Sequence, residues 1–190
     1  IMNYYTKFGF NDFVIALGYK SEVIKEYFYN YYYKNSNFTV NLNSGEIDHI
    51  ESTKINWKVS LIETGINSLT GKRLMKLKKY INNKRFFLTY GDGLSNINIK
   101  QLLNFHIKNK KFATLSAVRP TARFGELKIR NNKVIDFNEK PQLNEGWING
   151  GFFVMNSNIF NILGKKNQML EREPMQKLLK TKNINAFMHN

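Results

Sequence analysis

The sequence predicts an α/β fold with a mixed, mostly parallel sheet flanked by helices. Two observations carry this. Short apolar runs rich in Val, Ile, Phe and Tyr alternate with helical patterns along the whole chain, the signature of strands joined by helical crossovers. No internal repeat and no Pro/Gly/Ser-rich linker interrupts that alternation, so residues 1–190 read as one domain.

The elements follow in order. The first residues, "IMNYYTKF", look helical. "NDFVIALGYK" gives a strand over Phe13 to Leu17 that closes on Gly18. In "SEVIKEYFYNYY", Ser21 is placed to cap a helix, Glu22 suits its positive end, and Val23, Ile24, Tyr27 and Phe28 form an apolar face. "NFTVNLNSGEIDHIES" reads as two short strands about a turn at Asn43-Ser44-Gly45. A strand in 57–64 precedes a helix over 70–81 with Leu74, Leu77 and Ile81 on one side. A strand over Phe86 to Leu88, a helix at 99–109 and a strand at 112–118 come next. Strands near 126–130 and 133–138 flank the turn Asn131-Asn132. "GGFFVMN" is a strand, "SNIFNIL" starts a helix, and a helix over 173–182 carries Pro174 in its first turn. "NINAFMHN" reads as a final strand.

Composition narrows the function classes. At 42% hydrophobic and 14% aromatic residues the chain is a globule, not a disordered tail. It has no cysteine, which excludes disulfides and thiolate metal sites. No apolar run is long enough to span a membrane and no signal-peptide pattern opens the sequence, so the expected location is the cytoplasm. The formal charge of +15 suits anionic partners such as phosphates. The lysines are scattered, which fits a solvated surface better than a nucleic-acid stripe, so no specific nucleic acid is expected.

One stretch points to chemistry. In "RFFLTYGDGLSNI" an apolar run ends in Thr89-Tyr90-Gly91-Asp92-Gly93 ahead of a helix. Ligands of open α/β sheets sit beyond the carboxyl ends of strands. There Asp92 is suited to hold Mg²⁺, and the glycines let a phosphate or sugar approach the backbone. The same tripeptide also serves as an ordinary turn. In "ETGINSLTGKRL", Thr70 and Gly71 offer small groups and N–H donors and Arg73 can pair with phosphate; an N-cap with a surface arginine is the alternative. Glu139 suits sugar hydroxyls and Lys140 suits a phosphate, or each forms a surface salt bridge. His49, His106 and His189 are not spaced as a metal cluster, and His106 reads as structural. Neither a Ser-His-Asp pattern nor a Walker loop is present.

Taken together, "FNDFVIALGYKSEVIKEYF", "VSLIETGINSLTGKRL", "FFLTYGDGLSNI", "ATLSAVRPTARFGELKI", "FNEKP" and "INGGFFVMN" occur in the order seen in sugar nucleotidyltransferases. The chain resembles that family over essentially its whole length, and most closely its cytidylyltransferase branch. Uridylyl- and thymidylyltransferase relatives differ in the loop before the first helix of the motif region; uridylyl, thymidylyl or guanylyl transfer and a non-catalytic sugar-phosphate-binding fragment stand as alternatives. The resemblance implies a Rossmann-like sandwich of the nucleotide-diphospho-sugar transferase type. It implies that CTP and α-D-glucose 1-phosphate give CDP-glucose and pyrophosphate, feeding dideoxysugar and O-antigen synthesis, with Mg²⁺ as cofactor and a homo-oligomeric parent protein. By the same resemblance Asp92 holds the metal, and Asp92, Lys140 and Arg73 form the catalytic set. Thr70, Gly71, Arg73 and Gly91 bind nucleotide. Phe124, Gly125, Glu139, Lys140, Asn149, Gly150 and Gly151 bind sugar phosphate.

Two family features have no counterpart here. A glycine-rich G-G-x-G-T-R loop precedes the point matched by Ile1, and a second metal-binding aspartate follows the point matched by "AFMHN". The sequence therefore reads as an internal fragment truncated at both ends. Such a fragment is expected to keep affinity for the sugar phosphate, to bind CTP poorly and to lack turnover. It is also expected to be weakly stable, because a missing central strand exposes sheet edges.

Overall fold

The computed structural model describes residues 1–52, 55–81, 84–120, 126–138 and 146–189. Helix α1 (Met2–Thr6) is followed by β1 (Asp12–Leu17), α2 (Ser21–Tyr29), α3 (Tyr31–Lys34), β2 (Ser36–Val40), β3 (Ile47–Ser52) and β4 (Lys58–Glu63). Helix α4 (Thr70–Leu77) tightens into a 3₁₀ turn over Lys78–Tyr80. Then come β5 (Arg85–Thr89), α5 (Ile99–Asn109), β6 (Ala113–Val118), β7 (Glu126–Arg130), β8 (Lys133–Asn138), β9 (Ile148–Asn156), α6 (Ile159–Leu163), α7 (Glu173–Lys180) and β10 (Ile184–His189). The chain forms two compact units. One comprises Met2–Asn82 and Leu163–Met175; the other comprises Asn83–Ile162 and Gln176–Asn190, with Ile1.

In the first unit β1 and β4 pair in parallel, from Asp12 opposite Lys58 to Leu17 opposite Glu63. Leu74 and Leu77 of α4 are buried, as their helical spacing predicts, and Leu17 joins them in the core. Strands β2 and β3 form an antiparallel hairpin. Its turn is held by the Asn41 side chain, whose Oδ1 accepts from the N–H groups of Asn43 and Ser44 at 3.0 and 3.3 Å.

Helix α2 departs from its sequence reading in two ways. Ser21 does not cap it: the cap position is Lys20, in the left-handed region at φ 54°, and no side chain accepts from the first turn. Glu63, at the end of β4, takes the Ser21 hydroxyl instead. Hydrogen bonds from Lys25 and then Ser21 hold the Glu63 carboxyl below its ordinary pKa. Nor does the apolar face of α2 enter a core. Val23 is 54% exposed, and the cluster this face does make is aromatic, running from Tyr27 and Phe28 through Tyr31 to Trp57.

The second unit is built on a four-stranded sheet of order β10-β6-β9-β5. Strand β10 runs parallel to β6, whereas β9 lies antiparallel to both β6 and β5. Thus β5, β6 and β10 point one way and β9 the other, the mixed, mostly parallel arrangement that the sequence predicts. Phe152, Phe153, Val154 and Met155 of β9 are consecutive and all buried. Successive strand residues face opposite sides, so β9 must be covered on both. Burying each such side chain is worth about 1.5–3 kcal/mol. The hairpin β7–β8 turns at Asn131-Asn132, both at positive φ, as its asparagines permit.

Helix α5 begins with a cap the sequence reading did not single out: Asn98 Oδ1 accepts from the Gln101 N–H at 3.0 Å. It is tied to the sheet by His106, which is 1% exposed. One ring nitrogen, Nδ1, lies 2.9 Å from Thr114 Oγ1; the other, Nε2, lies 3.1 Å from Asn156 Oδ1. The Asn156 amide nitrogen donates to the Lys111 carbonyl, which leaves its Oδ1 as an acceptor. Nε2 therefore carries the proton, and Nδ1 accepts from the threonine hydroxyl. Burial pushes the His106 pKa down, outweighing the hydrogen bond to Asn156, and the nearby Arg85 charge lowers it further.

The unfolded chain accordingly takes up a proton on His106 at a higher pH than the folded chain does. The stabilising contribution of neutral His106 is complete above the ordinary histidine pKa and is lost as pH falls below it. The thermal midpoint should decline between pH 7 and pH 5, and the decline should be shallower in His106→Gln. Parallel profiles for the two proteins would refute the assignment.

Candidate active site

In the second unit, the carboxyl ends of β5, β6 and β10 and the amino end of β9 lie along one edge of the sheet, because β9 alone runs in reverse. That register brings Asp92, just past β5, to the same edge as Asn149, Gly150 and Gly151 at the start of β9. The Tyr90 N–H donates to the Gly151 carbonyl at 3.2 Å, and the Asn149 amide nitrogen donates to the Tyr90 hydroxyl at 3.4 Å. Asn149 Oδ1 in turn accepts from the Gly151 N–H at 2.9 Å. At the far end of the edge, His189 Nε2 lies 2.8 Å from Asn96 Oδ1.

Glycine is required at two of these positions for different reasons. Gly151 sits at φ +77°, and a Cβ there would come within 3.1 Å of the Tyr90 ring. At Gly150 a Cβ would meet Ser116 Oγ at 2.6 Å and Val118 Cγ1 at 2.9 Å. Ser116 lies at the irregularity in the β6–β9 ladder, and its hydroxyl oxygen accepts from the Phe152 N–H at 3.2 Å.

Asp92 is exposed, and no hydrogen bond or ion pair engages its carboxylate among the described residues. A Cβ on either flanking glycine, Gly91 or Gly93, would touch nothing within 4 Å. The carboxylate thus stands in open space with its lone pairs available, which fits a hydrated Mg²⁺ held by one carboxylate and substrate phosphates. No group of three or more His, Asp or Glu residues suited to a metal is found among the described residues. Phe124, Gly125, Glu139 and Lys140 lie outside the described residues.

In the first unit, Thr70, Gly71 and Arg73 lie at the start of α4, and the chain itself engages their polar groups. The Thr70 hydroxyl donates to Glu171 Oε2 at 2.7 Å and accepts from the Leu170 N–H at 2.8 Å. The Gly71 N–H donates to the Gln168 carbonyl at 3.0 Å. Arg73 Nη1 donates to the Leu17 carbonyl at 2.9 Å and to Thr64 Oγ1 at 2.6 Å, and Nη2 donates to the Ile66 carbonyl at 3.2 Å. The Arg73 guanidinium lies directly over Gly18, whose missing Cβ makes room for it. Thr64 is fully buried, and its hydroxyl donates to the Leu17 carbonyl at 2.6 Å. Lys76 Nζ closes the arrangement on the Thr64 carbonyl at 2.6 Å. The loop from 64 to 70 is thereby fixed by side chains outside it. A cavity of about 330 Å³ in this unit is lined by Leu69, Asn167, Gln168, Met169, Arg172 and Glu173, none of them an expected substrate residue.

Thr64 and Ser116 escape a reading of the sequence because single hydroxyls in apolar strands give no periodic signal. Their partners are as distant as Leu17 and Phe152.

Residues 7–187 match the family model described as nucleotidyl transferase. The chain belongs to the nucleotidyl transferase family. It is 38% identical over 190 residues to the probable glucose-1-phosphate cytidylyltransferase of Bacillus subtilis, an alignment that spans all of this chain and 74% of that protein. To the glucose-1-phosphate cytidylyltransferase of Salmonella typhimurium it is 39% identical, with the same coverage of 100% and 74%. Among solved structures, HddC from Yersinia pseudotuberculosis complexed with GMP-PN superposes with a TM-score of 0.65 at 20% identity, covering 99% of this chain and 74% of that one. At that identity the superposition supports the nucleotidyl transferase fold alone. No helix among the described residues is long and apolar enough to cross a membrane.

The tight and open glycines predict opposite outcomes for the same substitution. In Gly71→Ala the new Cβ would lie 2.8 Å from the Gln168 carbonyl oxygen and 3.3 Å from the Leu170 nitrogen, both backbone atoms. A stability loss of about 1–3 kcal/mol is expected in thermal or urea unfolding. Gly91→Ala should stay within about 0.5 kcal/mol of the parent. Equal effects would show that Gly71 is not closely packed against the 163–175 segment.

Proposed function

We propose that this nucleotidyl transferase moves CMP from CTP to α-D-glucose 1-phosphate, giving CDP-glucose and pyrophosphate. The observation that carries the reading is the exposed, unpartnered Asp92 carboxylate on the same strand edge as Asn149, Gly150 and Gly151. The names of the two curated relatives favour CTP and glucose 1-phosphate over other bases and sugars. A cytoplasmic location follows from the same substrates, which are made inside the cell.

In the proposed reaction a phosphate oxygen of glucose 1-phosphate attacks the α-phosphorus of CTP. The bond from that phosphorus to the bridging β-phosphate oxygen breaks, and pyrophosphate leaves with its electron pair. No protein nucleophile is needed, so the task of the chain is to align two phosphates and offset their charge. Asp92 would hold Mg²⁺, which when bound supplies positive charge to the phosphate oxygens. Asn149, Gly150 and Gly151 would line the sugar-phosphate side, with Lys140 as its cation and Glu139 accepting from sugar hydroxyls. Thr70, Gly71 and Arg73 would shape the nucleotide side, Arg73 by holding the 64–70 loop to Leu17 and Thr64.

Pyrophosphate release with glucose 1-phosphate and Mg²⁺, measured with its variants in the full-length parent protein that carries this chain, tests the reading across CTP, UTP, dTTP and GTP. CTP should be preferred by about tenfold or more, and a faster reaction with another nucleotide would overturn the base assignment. Asp92→Asn should cut turnover by about a hundredfold or more while leaving the fold unchanged. Lys140→Ala should weaken use of glucose 1-phosphate by about ten- to a hundredfold, the equivalent of losing a charged hydrogen bond, with a smaller effect on CTP. Equal losses for both substrates would remove Lys140 from the sugar-phosphate side.

A further inference from the structure

Arg119 follows β6 at the same strand edge. The β6–β9 register pairs Ala117 with Asn149 and Val118 with Ile148, so the next pair is Arg119 with Trp147. The two side chains meet: the guanidinium carbon lies 4.7 Å from the centroid of the Trp147 ring. Because residues two apart on a strand share a face, Arg119, Trp147 and Asn149 lie on one face of the ladder. The Nε of Arg119 is buried and has no hydrogen-bond partner, and no carboxylate pairs with this guanidinium among the described residues. A buried N–H left unmade is costly in an isolated protein and calls for an explanation. The guanidinium lies over the Trp147 ring, and a planar fork of N–H donors matches phosphate oxygens two at a time.

We propose that Arg119, in contact with the Trp147 ring, is a second phosphate-binding cation of this site and takes the phosphate of the sugar 1-phosphate. The proposal rests on the reading of the Asn149–Gly151 edge as the sugar-phosphate side. Nucleotide phosphate offers the same chemistry, but Asn149 lies two residues from Trp147 on the same face, which places the cation at the sugar-phosphate end. Lys140 and Arg119 then divide the work: one contributes a point charge, the other an oriented pair of donors.

Calorimetric titration of the chain with glucose 1-phosphate, inorganic phosphate, glucose and CTP, using the parent, Arg119→Gln and Arg119→Lys, tests this. Arg119→Gln should raise the dissociation constant for glucose 1-phosphate about tenfold or more and leave that for CTP unchanged. Arg119→Lys should fall between, since it keeps the charge and loses the fork. Trp147 emission, read in a Trp57→Phe background, should shift on addition of glucose 1-phosphate and not of glucose. Unchanged affinity in both variants, or a loss confined to CTP, overturns the proposal. So does failure of the folded parent to bind either phosphate compound. Arg119-dependent binding of inorganic phosphate with no gain from the sugar would keep the anion site and reject the sugar-phosphate reading. A merely structural role would lower the thermal midpoint and CTP affinity together, which Arg119→Lys distinguishes if Arg119→Gln does not fold.

Discussion

The buried reverse strand β9 is the constraint on which the second unit depends. It is hydrogen-bonded on one side to β6 and on the other to β5, and four consecutive side chains, Phe152 to Met155, are withdrawn from water. Two parallel-running strands are thus spaced apart by a third that opposes them. Its first residues consequently emerge between the points where β5 and β6 finish. Asp92, Asn149 and Arg119 come from segments far apart in sequence, and only this antiparallel insertion brings them to a common edge. The glycines at 150 and 151 are part of the same arrangement. One accommodates the Ser116 hydroxyl and the other the Tyr90 ring, so side chains at either position would push the strand away from its neighbours.

The first unit is organised around a buried hydroxyl. Thr64 donates to the carbonyl that ends β1 and accepts from Arg73, so that strand β1, strand β4 and helix α4 converge on one oxygen atom. Such a group is favourable only when its partners are all present. Here Leu17 and Arg73 supply them, and Gly18 leaves the space that the guanidinium occupies.

Much of this was legible in the sequence, for reasons that also mark the limits. Apolar runs bounded by polar turns reveal strands, and Asn-Ser-Gly and Asn-Asn reveal the two hairpins, where Gly45, Asn131 and Asn132 take the positive φ that glycine and asparagine tolerate. The helix over 99–109 is evident from its spacing. The order of strands is not evident: an unbroken apolar run such as Phe152 to Met155 of β9 reads the same in either direction, and periodicity says nothing about neighbours. The cap at Ser21 is not realised because Lys20, in the left-handed region, takes the cap position and leaves Ser21 inside the first turn. Asp92 was conspicuous between its glycines. Arg119 was not, since its significance lies in a tryptophan 28 positions away and in a nitrogen without a partner.

The anchoring of the 64–70 loop has a thermodynamic consequence. Its backbone is fixed by Arg73 and Lys76 at one end and by Asn167 and Gln168 at the other, which bind Leu69 and Gly71. Confining a residue to one backbone well costs about 1–2 kcal/mol of conformational entropy, and for this loop that cost falls on folding. A nucleotide meeting the loop would find it already ordered. Its affinity would then be limited by contacts and desolvation, not by the need to quench local motion.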